Sequence, residues 1–336
     1  MSALEAAWEA LARLRPSGQG WLTHRLEPAS PRAVFAGIDG ELGQPAVLLD
    51  VATASLPASP DLPVARGFTV QIMAQTPGPG GRAWLVLGLV ETAQRSLFGV
   101  MAEDVATATL AAASDRLAVQ NFLSRLRDWQ SFMERQQEGG LTHEAQIGLF
   151  AELLFLEEIA LEHFAPLDAL AAWQGPEGGL QDWRSGDVAV EIKATTALEP
   201  STFQVSHIGQ LDERGLASLI VLHHVLEESG RGRSLPRLVE DIASGSLQEH
   251  DEARALFERR LLLAGYHAAM ASRYEGRFLR LETQSCFLVQ EGFPRLRGDL
   301  LPAGIVECSY SVALSACTAF EIDHPAFIRR LQGQVT

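Results

Sequence analysis

Gln181-Asp182-Trp183-Arg184-Ser185-Gly186-Asp187-Val188-Ala189-Val190-Glu191-Ile192-Lys193-Ala194 reads as a β-hairpin with chemistry on one face. Ser185-Gly186 is a glycine-containing two-residue turn of the kind that joins antiparallel strands. Beyond it, Val188, Val190 and Ile192 alternate with Ala189, Glu191 and Lys193. Successive strand residues point to opposite faces. The first set therefore faces a core, and the second places Glu191 and Lys193 together, about 6–7 Å apart along the strand. With the turn at Ser185-Gly186, Arg184 pairs with Asp187, and Asp182 lies opposite Ala189 on the face of Glu191 and Lys193. Asp182 and Glu191 are then diagonal neighbours, about 7–8 Å apart. Two carboxylates so placed can share one Mg²⁺, which binds oxygen at about 2.0–2.1 Å. Lys193 can orient or deprotonate a water and offset charge on a phosphate, the combination that phosphodiester hydrolysis needs. Asp187 has the same parity but stands about 13 Å from Glu191 along the strand and is read as a turn residue.

Lys193 is the only lysine among 27 basic residues. Where charge alone is wanted this chain uses arginine, so the position asks for a compact ammonium that can lose its proton. The net charge of −15 over 336 residues argues against non-specific coating of nucleic acid, which needs many Lys and Arg contacts. A bound divalent cation and a local basic face can still serve a nuclease. Residues 254–297 carry eight arginines against four glutamates. Cys286, Cys308 and Cys317 are odd in number and lack CxxC spacing, which fits buried thiols better than disulfides or zinc ligands. With 47% hydrophobic residues, no apolar run long enough for a membrane span and an acidic N-terminus, a cytoplasmic globular protein is expected.

Outward from the hairpin, a helix is expected over 142–163 and a glycine-rich loop over 175–179. A third strand, a helix and the apolar strand Leu216–Leu226 follow the hairpin. Upstream, residues 1–112 read as a mostly antiparallel β domain with a helix or two. Its expected elements are a helix at 3–14 and strands near 20–26, 33–39, 46–52, 68–74 and 83–91. Pro77-Gly78-Pro79-Gly80-Gly81 marks a hairpin loop and the Pro-rich 57–63 another loop. Apolar residues at helical spacing make 115–135 a long connecting helix within 113–140. The core spans 141–245. A C-terminal α+β segment spans 246–336, with a helix at 250–274, strands near 277–282, 285–290 and 304–314, and a last short helix.

An acidic residue, a short hairpin and Glu-x-Lys on a strand resemble the PD-(D/E)XK nuclease signature, present as Asp182…Glu191-Ile192-Lys193, with Gln181 where the signature writes proline. In that superfamily a preceding helix often adds an acid, and Glu152 fits: it shares a stripe with Gly148, Phe155 and Ile159, an apolar side. More closely, residues 20–325 are similar to an uncharacterised bacterial family grouped with PD-(D/E)XK proteins. The likeness is carried by Gly148–Leu156, Trp173-Gln174-Gly175-Pro176, Asp182-Trp183, Glu191–Thr195, Val205–Leu211, Leu263–Tyr266 and Phe293-Pro294-Arg295. The resemblance implies a restriction-endonuclease-like core, a mixed sheet flanked by helices in an α+β or α/β chain. It also implies DNA as substrate, and a role in restriction or phage defence beside other proteins of the same gene cluster. Gln210 would sit beside the lysine at a helix start, with Ser206 as N-cap. Thr195 is a strand residue that could also donate to a phosphate.

Other chemistries lack their residues. The one lysine follows no glycine, so no P-loop exists, and HExxH and GxSxG are missing. His223 and His224 are neighbours on an apolar strand, point opposite ways and fit a core or edge role. The leading expectation is a DNA endonuclease using Mg²⁺, with Mn²⁺ able to substitute. Asp182, Glu191 and the Ile192 carbonyl would hold the metal, Lys193 would handle water, and Glu152 and Gln210 would support. The alternative is a catalytically idle subunit that binds nucleic acid or a partner. RNA or branched DNA would use the same residues, and a homodimer would supply the two sites that cutting both strands requires.

Overall fold

The computed structural model describes residues 2–14, 18–58, 62–63, 67–75, 80–135, 140–298, 301–302, 305 and 307–334. Two compact units divide the chain, Met1–Arg135 and Gln136–Thr336. In the first, α1 (Ala3–Arg13) starts where the Ser2 side chain accepts from the Glu5 amide. It buries Leu4, Ala7, Trp8 and Leu11, one stripe at helical spacing. Strands β1 (Trp21–Arg25), β2 (Ala33–Asp39), β3 (Pro45–Ala52), β4 (Phe68–Ala74) and β5 (Arg82–Leu89) form one sheet in the order β1-β2-β3-β5-β4, every pair antiparallel. Of the expected loops, residues 76–79 and 59–61 lie outside the described residues.

Helices α2 (Arg95–Leu110) and α3 (Asp115–Arg135) complete this unit. The helix expected as a connector is tied to its neighbours: Arg125 and the Trp129 indole both donate to Asp104 on α2, at 2.6 and 2.7 Å, and Asp115 pairs with Arg32. Phe122, Leu126, Trp129 and Phe132 are fully buried.

The second unit begins with α4 (His143–Phe155), capped by Thr142, whose hydroxyl accepts from Ala145 N. A π-turn at Leu156–Ala160 leads into α5 (Leu161–His163), and α6 (Pro166–Ala172) follows. Next come β6 (Trp183–Ser185), β7 (Val188–Thr195), β8 (Thr202–Val205) and the long β9 (Ser218–Arg233). Helices α7 (Leu235–Ser244) and α8 (Asp251–Leu263) precede β10 (Leu279–Leu288), β11 (Tyr310–Ala313), α9 (Leu314–Cys317), β12 (Glu321–Ile322) and α10 (His324–Leu331). The main sheet runs β12-β10-β9-β7-β6. Its β7–β9 pair is parallel and the others antiparallel, which makes a mixed sheet; β8 and β11 pair apart from it.

Parallel strands need both faces covered. Val188, Val190 and Ile192 pack with Ile220, Leu222 and the α4 residues Phe150 and Leu154 on one face. Ala189 packs with Leu219, Val221, Phe203 and Val205 on the other. Full burial of each such Val, Leu, Ile or Phe contributes about 1.5–3 kcal/mol. Both layers being apolar, Leu219–Leu226 carries no alternation that would mark its faces.

Several elements differ from expectation. The turn of the β6–β7 hairpin is Gly186-Asp187, with Ser185 opposite Val188 and Trp183 opposite Val190. Gly186 takes φ +60°, the left-handed region that glycine adopts without a steric penalty. The helix expected before the apolar strand is one 3₁₀ turn, Ile208–Leu211, capped by His207 rather than Ser206. The strands expected at 277–282 and 285–290 are one strand, β10, with an irregularity between Leu281 and Thr283. The helix expected over 250–274 is α8 followed by a separate 3₁₀ segment, Ala268–Arg273. Of the strand expected at 304–314, β11 covers 310–313; residues 304 and 306 lie outside the described residues. Among the described residues no helix is long and apolar enough to cross a membrane.

Candidate active site

The hairpin register decides what meets at the end of β6. Trp183 is buried opposite Val190, so the pairing continues with Asp182 opposite Glu191, not Ala189. That moves Asp182 by a whole pleat and keeps it on the face of Glu191 and Lys193. β6 stops at Trp183, and the Asp182 side chain takes over the next ladder position: its Oδ2 accepts from the Ile192 amide at 2.7 Å. A strand residue presents its N–H and C=O to the same edge. The Ile192 carbonyl therefore faces the Asp182 side of β7 as well.

Glu191 is 1% exposed. Its Oε1 lies 2.7 Å from Lys193 Nζ, and its Oε2 is buried with no hydrogen-bond partner. Lys193 Nζ also donates to Gln210 Oε1 at 3.4 Å. The same oxygen accepts from the Ser206 and His207 amides, so the 3₁₀ turn locks the Gln210 carbonyl toward the lysine. Arg295, itself buried, braces that turn by donating to Leu211 O at 3.0 Å and pairing with Glu213. Thr195 only accepts from the Ala197 amide.

Glu152 reaches the cluster from α4. The Trp173 indole donates to its Oε2 at 2.6 Å. Gly175 fits between the acids: a Cβ there would lie 2.8 Å from Glu152 Oε2 and 3.2 Å from Asp182 Oδ1. The Gln174 and Gly175 amides both donate to Asp182 O, at 2.8 and 2.9 Å. Trp173 and Gly175 had no assigned role in the sequence. Their signal was the Trp-Gln-Gly-Pro stretch itself, a large aromatic beside a glycine just ahead of the hairpin.

Three carboxyls so close, Glu191 buried and Glu152 and Asp182 half-buried, disfavour one another's ionisation. Burial, then the charge of Asp182, pushes Glu152 well above the usual carboxylate range. Burial raises Asp182 despite the Ile192 amide. Burial and Asp182 together push Glu191 up to about 8, outweighing the contact with Lys193. A cluster that resists its own negative charge, with an orphaned Oε2, is electrostatically complementary to a cation. Among the described residues no three or more His, Cys, Asp or Glu side chains stand in metal-holding geometry. Asp182, Glu191 and the Ile192 carbonyl are the donors at hand. Carboxylate and carbonyl oxygens are donors of the type that hard divalent cations take.

A family model described as "Putative PD-(D/E)XK family member, (DUF4420)" matches residues 4–315. The chain belongs to this family. Searches of curated proteins and of solved structures return no match. In this PD-(D/E)XK family member, Gln181 fills the signature's proline position and does work that proline cannot. It is 4% exposed, and its Nε2 donates to Gly209 O and Gln210 O at 3.1 and 3.3 Å. The residue before the first acid thus ties the hairpin to the turn that carries Gln210.

His223 and His224 both stay buried, and burial lowers each to about 4. His224 Nε2 meets Gln284 Oε1 at 3.1 Å, and the His223 ring lies near Phe203. Cys286 and Cys317 are buried free thiols, and Cys308 is half-buried. The arginine excess of 254–297 is largely spent internally. Arg254, Arg260, Arg277, Arg280 and Arg295 pair with Asp251, Glu177, Glu228, Glu227 and Glu213.

Proposed function

We propose that the chain is a divalent-cation-dependent endonuclease acting on DNA, with Asp182, Glu191 and the Ile192 carbonyl holding Mg²⁺ or Mn²⁺. The observation that carries this is the meeting of the chain's only lysine with three carboxyls at one strand end, each raised above the usual carboxylate range. When bound, the cation supplies positive charge to the scissile phosphate and makes a water more acidic.

The protein's own groups do the rest. Lys193 Nζ, held between Glu191 and Gln210, would as an ammonium offset charge developing on the phosphoryl oxygens and orient the attacking water, or as the neutral amine take up that water's first proton. Gln210 keeps the ammonium aimed. Glu152, fixed by the Trp173 indole, supports Asp182 and can carry a proton. Water adds to phosphorus, one P–O ester bond breaks, and the leaving oxygen takes the second proton, giving a phosphomonoester and an alcohol.

Five of the eight arginines in 254–297 are paired with carboxylates. This favours help from a partner in binding nucleic acid, and the family resemblance points to proteins of a restriction or phage-defence cluster. Asp182→Ala and Glu191→Ala should each abolish Mn²⁺ binding in calorimetry and cleavage of DNA while circular dichroism stays unchanged. Retention of both activities by either variant refutes the ligand assignment.

A further inference from the structure

We infer that Arg260 is a positioning residue for the carboxylate cluster, acting through the segment Trp173–Gly179; this rests on reading the cluster as a cation site. Arg260 lies on α8 with its side chain 6% exposed. Its Nη2 donates to Ala171 O, at the end of α6, and to Glu177 Oε2, both at 3.2 Å. Its Nε and Nη1 are buried without partners. Buried donors without acceptors cost free energy, so this side chain contributes through the two groups it does reach. A charge kept under those terms is explained by what it holds.

What it holds is the strap across the acids. Phe257 stands three residues earlier on α8, on the same helix face, with its ring 6.2 Å from that of Trp173. α8 therefore grips the strap near both ends, at Trp173 through Phe257 and at Glu177 through Arg260. That span carries contacts to two of the acids, Glu152 and Asp182. The Trp173 indole fixes Glu152, the Gln174 and Gly175 amides fix Asp182 O, and the bare Cα of Gly175 fills the gap between the two carboxyls. Arg260 itself touches none of the proposed cation ligands. Its effect is transmitted, as for outer groups that orient metal-binding carboxylates.

The test uses the full chain and two variants, Arg260→Met, which fills the site without charge, and Glu177→Gln. Three quantities are measured: thermal stability, hydrogen exchange of the Gln174 and Gly175 amides in metal-free protein, and Mn²⁺ affinity by calorimetry. Arg260→Met should still unfold cooperatively, exchange faster at 174–175, and bind Mn²⁺ about 10-fold more weakly. Glu177→Gln should shift exchange and affinity in the same direction by a smaller factor. It decides the matter alone if Arg260→Met does not fold. Unchanged exchange and unchanged affinity in the folded variants overturn the role of Arg260. Absence of Mn²⁺ binding by wild type overturns the cation reading, and the exchange comparison then judges the strap separately.

Discussion

Replacing Glu191 by glutamine keeps the shape of a buried side chain and removes a charge that the metal-free fold does not favour. In the folded protein the Glu191 carboxyl is raised from 4.5 to about 8, through burial first and Asp182 second. An unfolded chain loses this proton near 4.5. Stability from this group is therefore fully present below about 4.5, declines as pH rises through the window from 4.5 to 8, and is flat above it. At about 1.4 kcal/mol per pH unit, the whole window amounts to about 5 kcal/mol as a ceiling. Glutamine does not titrate, so it loses none of this. Its Oε1 can still accept from Lys193 but without the charge, and its amide hydrogens enter a place where Oε2 already lacks a partner. Those two changes cost about 1–3 kcal/mol each and do not depend on pH over this range. The informative quantity is therefore the difference between two pH values. In urea unfolding with a chelator, Glu191→Gln should gain about 3–5 kcal/mol on wild type between pH 5 and pH 9. Excess Mn²⁺ should stabilise wild type by mass action and leave the variant unmoved. Parallel stability–pH curves for the two proteins would refute the claim that Glu191 is held in a strained, cation-seeking state.

Two further outcomes follow from the same geometry. Gly175→Ala puts a methyl 2.8 Å from Glu152 Oε2 and 3.2 Å from Asp182 Oδ1. It should cost about 1–3 kcal/mol as overpacking and weaken Mn²⁺ binding, read by thermal melting and calorimetry; wild-type values for both would contradict the close approach. On the acid side, His223 and His224 sit at about 4 in the fold against 6.5 when free. The unfolded chain takes up their protons first as pH falls, so their share of stability is lost from about 6.5 down to about 4. Each contributes a slope of about 1.4 kcal/mol per pH unit. His224→Gln should flatten the unfolding profile over that interval, and an unchanged slope would show that His224 already binds its proton in the fold.

Period-two alternation made the face shared by Glu191 and Lys193 readable, because it is a local property of one strand. The register was not. Whether the turn is Ser185-Gly186 or Gly186-Asp187 depends on which residue takes the positive φ, and glycine fits at either turn position. The slip was two residues, so Asp182 stayed on the correct face. Glu152 and Gln210 stood out through an acid on an apolar stripe and a resemblance, and the fold brings both to the cluster. Trp173 and Gly175 were not readable as neighbours of the acids. They meet them through loop closure and helix packing over 21 residues in the case of Trp173 and Glu152, and no periodicity encodes such contacts. The strands of the first unit fell close to expectation because their apolar runs are bounded by turn residues. The helix α7 was passed over, since Leu235–Ser244 is short and follows directly on the polar end of β9.

The central claim is that the chain's one lysine and its paired acids form a cation-dependent phosphodiesterase site. Incubation of supercoiled plasmid with Mg²⁺ or Mn²⁺, wild type beside Lys193→Ala, tests it most directly. The account predicts nicked or linear DNA from wild type, intact plasmid from the variant, and no cutting by either with a chelator. Equal cutting by both proteins, or cutting that survives the chelator, would contradict it.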